Sequence, residues 1–390
     1  MSAAETLSMP SACRDRPAPA VIAALFCGCL AVGLPLPVVP LFIHDSLGFG
    51  SAVVGLAIGI QFLATVVTRG YAGRVADVHG GRRAALQGAL WWALGGLLYL
   101  VATLPGLSAG ASLTILVVGR LAAGFGESQF VTGCVAWSIA SVGPQRAGMS
   151  MSWTGIAIFA ALAVGAPAGM ALFTRSGAGA TMLACVLSPL LGGAIALAAQ
   201  PYAMAAGPRL PFHRVLGQIW REGAGLMLSG AGIAGLTAFA SLYFALRGWG
   251  HAGLVMTAFG IGFIAVRLVL GHLPDRMGGY RVALWSLAVE TAGQVMLWQA
   301  PTEAAALAGA LVTGLGCALV FPALGVEALK RVPPANRGSA MGAFVAFLDI
   351  AYGLAGPAAG IVAGRFGYGA VYLLGAGCAL AGALLVRRLA

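Results

Sequence analysis

The sequence predicts an all-α membrane protein of twelve transmembrane helices, arranged as two halves of six. Three observations carry that expectation. Of 390 residues, 60% are hydrophobic and only 8% charged, whereas a soluble domain of this size carries roughly a quarter charged residues. The apolar residues form long runs with short polar breaks, and at about 20 residues per span the chain holds about twelve helices. Finally, one glycine-and-charge pattern recurs 198 residues apart, about half the chain.

Spans are expected near 20–43, 51–72, 84–103, 111–140, 149–171 and 180–199 in the first half. The second half gives 223–245, 252–271, 282–300, 304–329, 339–364 and 368–386. Residues 200–222 form the one long polar connection, so the halves 20–199 and 223–390 flank a cytoplasmic linker. Residues 1–19 read as a polar cytoplasmic tail without an apolar core, so no cleavable signal peptide is expected. The 59 glycines suit helices packed closely in lipid. The alternating segments of a membrane β-barrel are missing. Six of the seven cysteines lie in apolar runs and read as small packing residues, with neither a disulfide framework nor a metal-ligand spacing.

The net charge of +11 does not point to nucleic acid, because the basic residues sit at the ends of apolar runs. With a cytoplasmic N-terminus, 18 of the 22 lysines and arginines fall on the inner side, counting Arg69 and Arg267 at helix ends. The outer loops hold only Arg175, Arg247 and Arg365, while Arg120 lies within a span. The positive-inside rule therefore places both termini in the cytoplasm.

The repeat reads Arg69-x-x-x-Gly73-x-Val75-x-Asp77-x-x-Gly80-Gly81-x-Arg83 in its first copy. The second reads Arg267-x-x-x-Gly271-x-Leu273-x-Asp275-x-x-Gly278-Gly279-x-Arg281. Both copies follow an even-numbered span. Glycine permits a tight turn between helices. Aspartate accepts hydrogen bonds at a helix N-terminus, and arginine binds carbonyls or lipid phosphates. A solvated basic turn explains one copy; two in register point to a shared role in a two-fold assembly.

The stretch from Gly73 to Arg83 resembles the loop signature of major facilitator transporters. In that family it steadies the outward-open state by bridging to a helix of the other half. The match departs at Val78 and Gly81, where basic residues are usual, with Arg82 and Arg83 nearby. Gly119-Arg120-Leu121-Ala122-Ala123-Gly124-Phe125-Gly126-Glu127 is similar to the span-four motif, whose arginine the family implicates in proton coupling. Gly165-Ala166-Pro167-Ala168-Gly169 is similar to the kinked span-five element of exporters, although Ala166 breaks the usual Gly-Pro pair; Gly356-Pro357-Ala358-Ala359-Gly360 echoes it. The resemblance covers the whole chain and is nearest to bacterial inner-membrane transporters of the arabinose-efflux branch.

Ionisable groups inside a bilayer are costly, which makes them functional candidates. Arg120 and Glu127 lie two helical turns apart on one face, and Asp349 falls near the middle of span eleven. A proton-coupled carrier needs a carboxyl group whose pKa swings with exposure and with a nearby arginine. Arg120 with Glu127 or Asp349 provides such a set; a structural ion pair is the competing reading. Gln61, Gln129, Thr132, Tyr243, Thr257 and Tyr352 are candidate polar cavity lining or, equally, helix-to-helix hydrogen bonds. Trp137 and Trp153 read as cavity platforms or interfacial anchors, Glu290 as a structural hydrogen-bond partner, and Glu327 as a gate or interface pair beside Lys330 and Arg331. Pro35, Pro37, Pro40, Pro167 and Pro357 are expected to bend their helices, for gating or for packing.

No nucleotide-binding glycine loop, metal cluster or nucleophile-and-base pair appears, so neither an enzyme nor an ATP-driven pump is expected. No cofactor is called for. The expected partners are the bilayer, protons and a small solute, with the chain a monomer. The favoured expectation is proton-driven efflux of a small polar solute such as arabinose. An importer, a multidrug exporter and a non-transporting sensor are the alternatives.

Overall fold

In the computed structural model the described residues are 17–143, 147–200, 212–332 and 337–389. They form thirteen α-helices: α1 (Pro19–Gly33), α2 (Val38–Leu41), α3 (Ser51–His79), α4 (Gly81–Ala102), α5 (Ala109–Val142), α6 (Ala147–Ala198), α7 (Phe212–Leu246), α8 (Leu254–Leu270), α9 (Leu273–Met277), α10 (Gly279–Trp298), α11 (Glu303–Lys330), α12 (Arg337–Phe366) and α13 (Gly369–Arg387). Nine helical segments among the described residues are long and apolar enough to cross a membrane. The outer faces of the helices carry exposed Val67, Leu90, Leu268, Trp285 and Leu384. So much apolar surface suits lipid as the solvent and not water.

The prolines shape the first span. With Pro35 and Pro37 unable to donate a backbone hydrogen bond, α1 stops at Gly33, and the chain resumes as α2 and then a π-turn from Phe42 to Ser46. Pro167 and Pro357, in contrast, stay within continuous α6 and α12. The break between the expected fifth and sixth spans lies at Gly177, whose φ of 79° is left-handed. Helix therefore runs past residue 171, where the sequence suggested an end. Likewise α7 begins at Phe212, inside the stretch expected as linker.

The two copies of the repeat differ in backbone. In the first, α3 runs unbroken through Gly73 and Asp77 to His79, so most of the expected loop is helix. In the second, Pro274 follows Gly271, α8 ends at Leu270, and α9 forms a separate short helix. Both copies then turn at a glycine, Gly80 and Gly278, each with φ of 87°. That conformation favours glycine. We call this the motif end of the bundle.

Towards the other end the two sets of helices meet along two glycine-lined seams. Between α3 and α12, a Cβ on Gly55 would come within 2.2 Å of the Gly356 carbonyl oxygen, and one on Gly59 within 2.7 Å of the Pro357 ring. Between α6 and α8, a Cβ on Gly260 would come within 2.5 Å of Ala163, and Gly253 lies against Pro167. At the motif end, hydrogen bonds join helices of one half. Arg82 donates to the carbonyls of Ala196 and Leu197, while Glu327 accepts from the Gly279 amide at 2.9 Å. Arg331 pairs with fully buried Glu222 of α7 at 2.7 Å, an acid the sequence reading passed over. The structure is thus a bundle closed at the end opposite the motif turns.

Candidate functional site

Gln61 of α3 is the centre of a buried polar network. Its amide nitrogen donates to Glu127 at 2.8 Å. Its carbonyl oxygen accepts from the Arg120 guanidinium at 2.6 Å and from the Tyr99 hydroxyl at 3.2 Å. Arg120 also lies over the Tyr99 ring, 5.5 Å from its centroid. The backbone supports this arrangement: Thr65 donates to the carbonyls of Gln61 and Gly124, and a Cβ on Gly124 would reach within 2.2 Å of the Gln61 carbonyl oxygen. Only a glycine at 124 lets α5 come so near α3. Arg120 and Glu127 are therefore bridged through Gln61, and no direct ion pair joins them.

Asp349 does not meet Arg120 either. Its partner is Arg69 of α3, whose guanidinium Nε donates to the buried carboxylate across the first seam. Another nitrogen of Arg69 reaches Thr132 of α5 at 3.5 Å. Glu127 acts electrostatically on Arg69 and Asp349, so the two carboxylates belong to one charged cluster. The sequence alone puts Arg69 among the helix-end charges of the inner side. The structure corrects this, placing it one helical turn above Gly73 and turned into the bundle. Its position within Val66-Val67-Thr68-Arg69 was the available signal.

The remaining candidates divide. Tyr352 lies against Phe62 across the first seam, with ring centroids 5.0 Å apart. Thr257 donates to the Ala163 carbonyl at 2.6 Å across the second. Tyr243 is committed elsewhere, donating to the Leu297 carbonyl within an aromatic cluster of Phe244, Trp249 and Tyr372. Gln129 is buried, and its side-chain carbonyl has no hydrogen-bond partner. Trp137 is also buried and donates to the Gln200 carbonyl, which suits a packing role. Glu290 of α10 accepts from Ser229 at 2.6 Å inside the second half.

Of the motif residues, Gly73 faces open space, Asp77 is half-buried and engaged, and Arg83 and Arg281 are exposed. The Asp275 side chain lies outside the described residues. Among the described residues no group of histidine, cysteine and carboxylate side chains is arranged to hold a metal.

Comparison with known proteins settles the family. The sequence model described as Major Facilitator Superfamily matches residues 21–252 and again 223–390. The chain belongs to the Major Facilitator Superfamily. Members of this superfamily are transporters and not enzymes. An uncharacterized MFS-type transporter of Salmonella typhimurium is 45% identical over 95% of this chain and 95% of its own. One of Burkholderia pseudomallei is 42% identical over 94% of this chain and 90% of its own. Among solved structures, the nucleoside transporter NupG aligns with a TM-score of 0.74 at 17% identity, covering 95% of this chain and 98% of that one. The human organic anion transporter MFSD10 aligns at 0.71 and 16%, covering 94% and 98%. At such identities these two structures speak for the fold alone. The chain is a multi-pass membrane transporter of small solutes in this superfamily.

Proposed function

We propose that this transporter exports a small polar solute in exchange for protons across a bacterial inner membrane, as a twelve-span monomer with both termini cytoplasmic. Twelve spans follow if α6 is counted as two limbs about Gly177 and α8 and α10 also cross. The arginine distribution supports the orientation, and the relatives in Salmonella and Burkholderia support a bacterial source. In that frame the seams close the outer face.

The observation that carries the reading is the Arg69–Asp349 pair, at the foot of the α3–α12 seam. Attraction between opposite charges is strong at low dielectric. Protonating Asp349 removes that attraction and weakens the seam that holds the outer face closed. Glu127, hydrogen-bonded to Gln61, supplies a second carboxyl within the same electrostatic cluster. A proton bound from one side is thereby linked to the choice between two packings of the halves. The half-buried Thr132 beside Arg69 suits a solute rich in hydroxyls, with arabinose and related sugars the first probes. The span-five resemblance to exporters favours efflux.

In everted vesicles the wild type should accumulate its solute when the lumen is acidified. The Glu127→Gln/Asp349→Asn double variant should lose that response. Unchanged gradient-driven flux in the double variant would overturn the coupling assignment, and dependence on the reverse gradient would favour import.

A further inference from the structure

The two arginines that open the repeat stand at equivalent places, each at the foot of one seam, yet among the described residues only one has a counter-charge. Arg69 is neutralised by Asp349. Arg267 of α8 donates its Nε to the Ala318 carbonyl of α11 at 3.1 Å and lies 4.8 Å from the Phe263 ring centroid. Among the described residues no carboxylate pairs with it, and no charged neighbour acts on it. The helix facing it across the seam offers Gly155 where α12 offers Asp349 to Arg69. A Cβ on Gly155 would sit 2.6 Å from the guanidinium Nη1. The neighbouring contacts are apolar, with Phe159 and Phe263 3.8 Å apart.

The acids around this region are already engaged. Asp349 is held by Arg69, and Glu127 is joined to Arg120 through Gln61. An uncompensated guanidinium inside a bilayer is costly, and in known proteins such groups mark ion or substrate paths. Its two free nitrogens form a planar fork suited to a carboxylate or phosphate.

We propose that Arg267 is the binding group for an anionic moiety, carboxylate or phosphate, of the transported solute. The proposal rests on the transport reading above and narrows its solute from any small polar molecule to an acidic one, such as a sugar acid or sugar phosphate. The α3–α12 seam keeps its own acid, and the α6–α8 seam receives one with each solute. Solute arrival then completes a second charge pair across the halves.

The test is counterflow in phosphatidylcholine liposomes carrying the full-length protein, with matched probes: arabinose against arabinonate, glucose against gluconate, and glycerol against glycerol 3-phosphate. At least one acid should exchange about tenfold faster than its neutral partner, as a charge-assisted hydrogen bond warrants. Arg267→Gln should abolish that preference and Arg267→Lys should retain part of it. Gly155→Ala, which crowds the guanidinium without removing its charge, should weaken it. Acid exchange that survives Arg267→Gln, or neutral probes exchanging as fast as acids, would overturn the proposal. If no probe moves, thermal unfolding of the solubilised protein decides: stabilisation by an acid, lost in Arg267→Gln, upholds it, and none overturns it. A second arm adds phosphatidylglycerol; if that lipid abolishes the acid preference, Arg267 serves a lipid headgroup and the solute assignment falls. Failure of the coupling reading shows separately, as an Asp349→Asn variant whose response to a pH gradient equals the wild type.

Discussion

Arg69 and Asp349 form an ion pair between α3 and α12, with Asp349 buried and Arg69 reaching on to Thr132 of α5. The pair sits below the glycine contacts of the seam, so one charge change at its foot bears on every contact above it. Removing one partner should therefore cost more than removing both. Asp349→Asn should destabilise the protein by about 1–3 kcal/mol, less than a fully buried pair would lose because Arg69 is partly exposed. The Arg69→Gln/Asp349→Asn double variant should recover part of that loss in thermal unfolding. Strictly additive losses would show that the pair contributes no coupling.

Gln61 should matter more to stability than the carboxylate it holds. Gln61→Leu strands Glu127, Arg120 and Tyr99 together and should cost about 2–4 kcal/mol. Glu127→Gln keeps an acceptor for Gln61 and should cost about 1 kcal/mol or less. It should nevertheless weaken the response to an imposed pH gradient. Denaturation midpoints and vesicle flux measured on the same preparations separate the two effects.

The glycine seam should control which state is populated. Gly55→Val places a Cβ where the Gly356 carbonyl oxygen already stands, 2.2 Å away. In a variant freed of native cysteines, spin labels at exposed Asp45 and Arg365 should then report a longer distance than in the parent. An unchanged distance distribution would mean that the seam absorbs the side chain by local adjustment.

Glu290 should be silent in coupling despite its burial. It lies on α10 against Ser229 of α7, within the second half. Glu290→Gln keeps that hydrogen bond and should leave the pH-gradient response unaltered, while Glu290→Leu leaves Ser229 unpaired and should lower the melting temperature. A lost gradient response in Glu290→Gln would add this carboxyl to the proton path.

Topology provides a direct check of orientation. Reporter fusions at residue 106, between α4 and α5, should read outside, and fusions at residue 210 should read inside. The reverse pattern would invert every assignment of inner and outer face made above.

The apolar runs, the repeat and the arginine bias were legible in the chain itself because they follow from local chemistry. Each span must satisfy its own backbone hydrogen bonds in lipid, so its length and composition are written in consecutive residues. Sequence also marked Arg120, Glu127 and Asp349 as costly charges, because depth within an apolar run needs no partner to be recognised. Their pairing was a different matter. Helical periodicity put Arg120 and Glu127 on one face, but Gln61, 59 residues before Arg120, stands between them. Asp349 found Arg69, 280 residues away, and not Arg120. Tertiary structure also showed that Arg267, the twin of Arg69 in the repeat, faces Gly155 and, among the described residues, pairs with no acid. Sequence separation does not encode which helices abut or how far they rotate. Packing decides that, and here it is set by glycines such as Gly55, Gly59 and Gly124, where an absent Cβ lets two backbones approach.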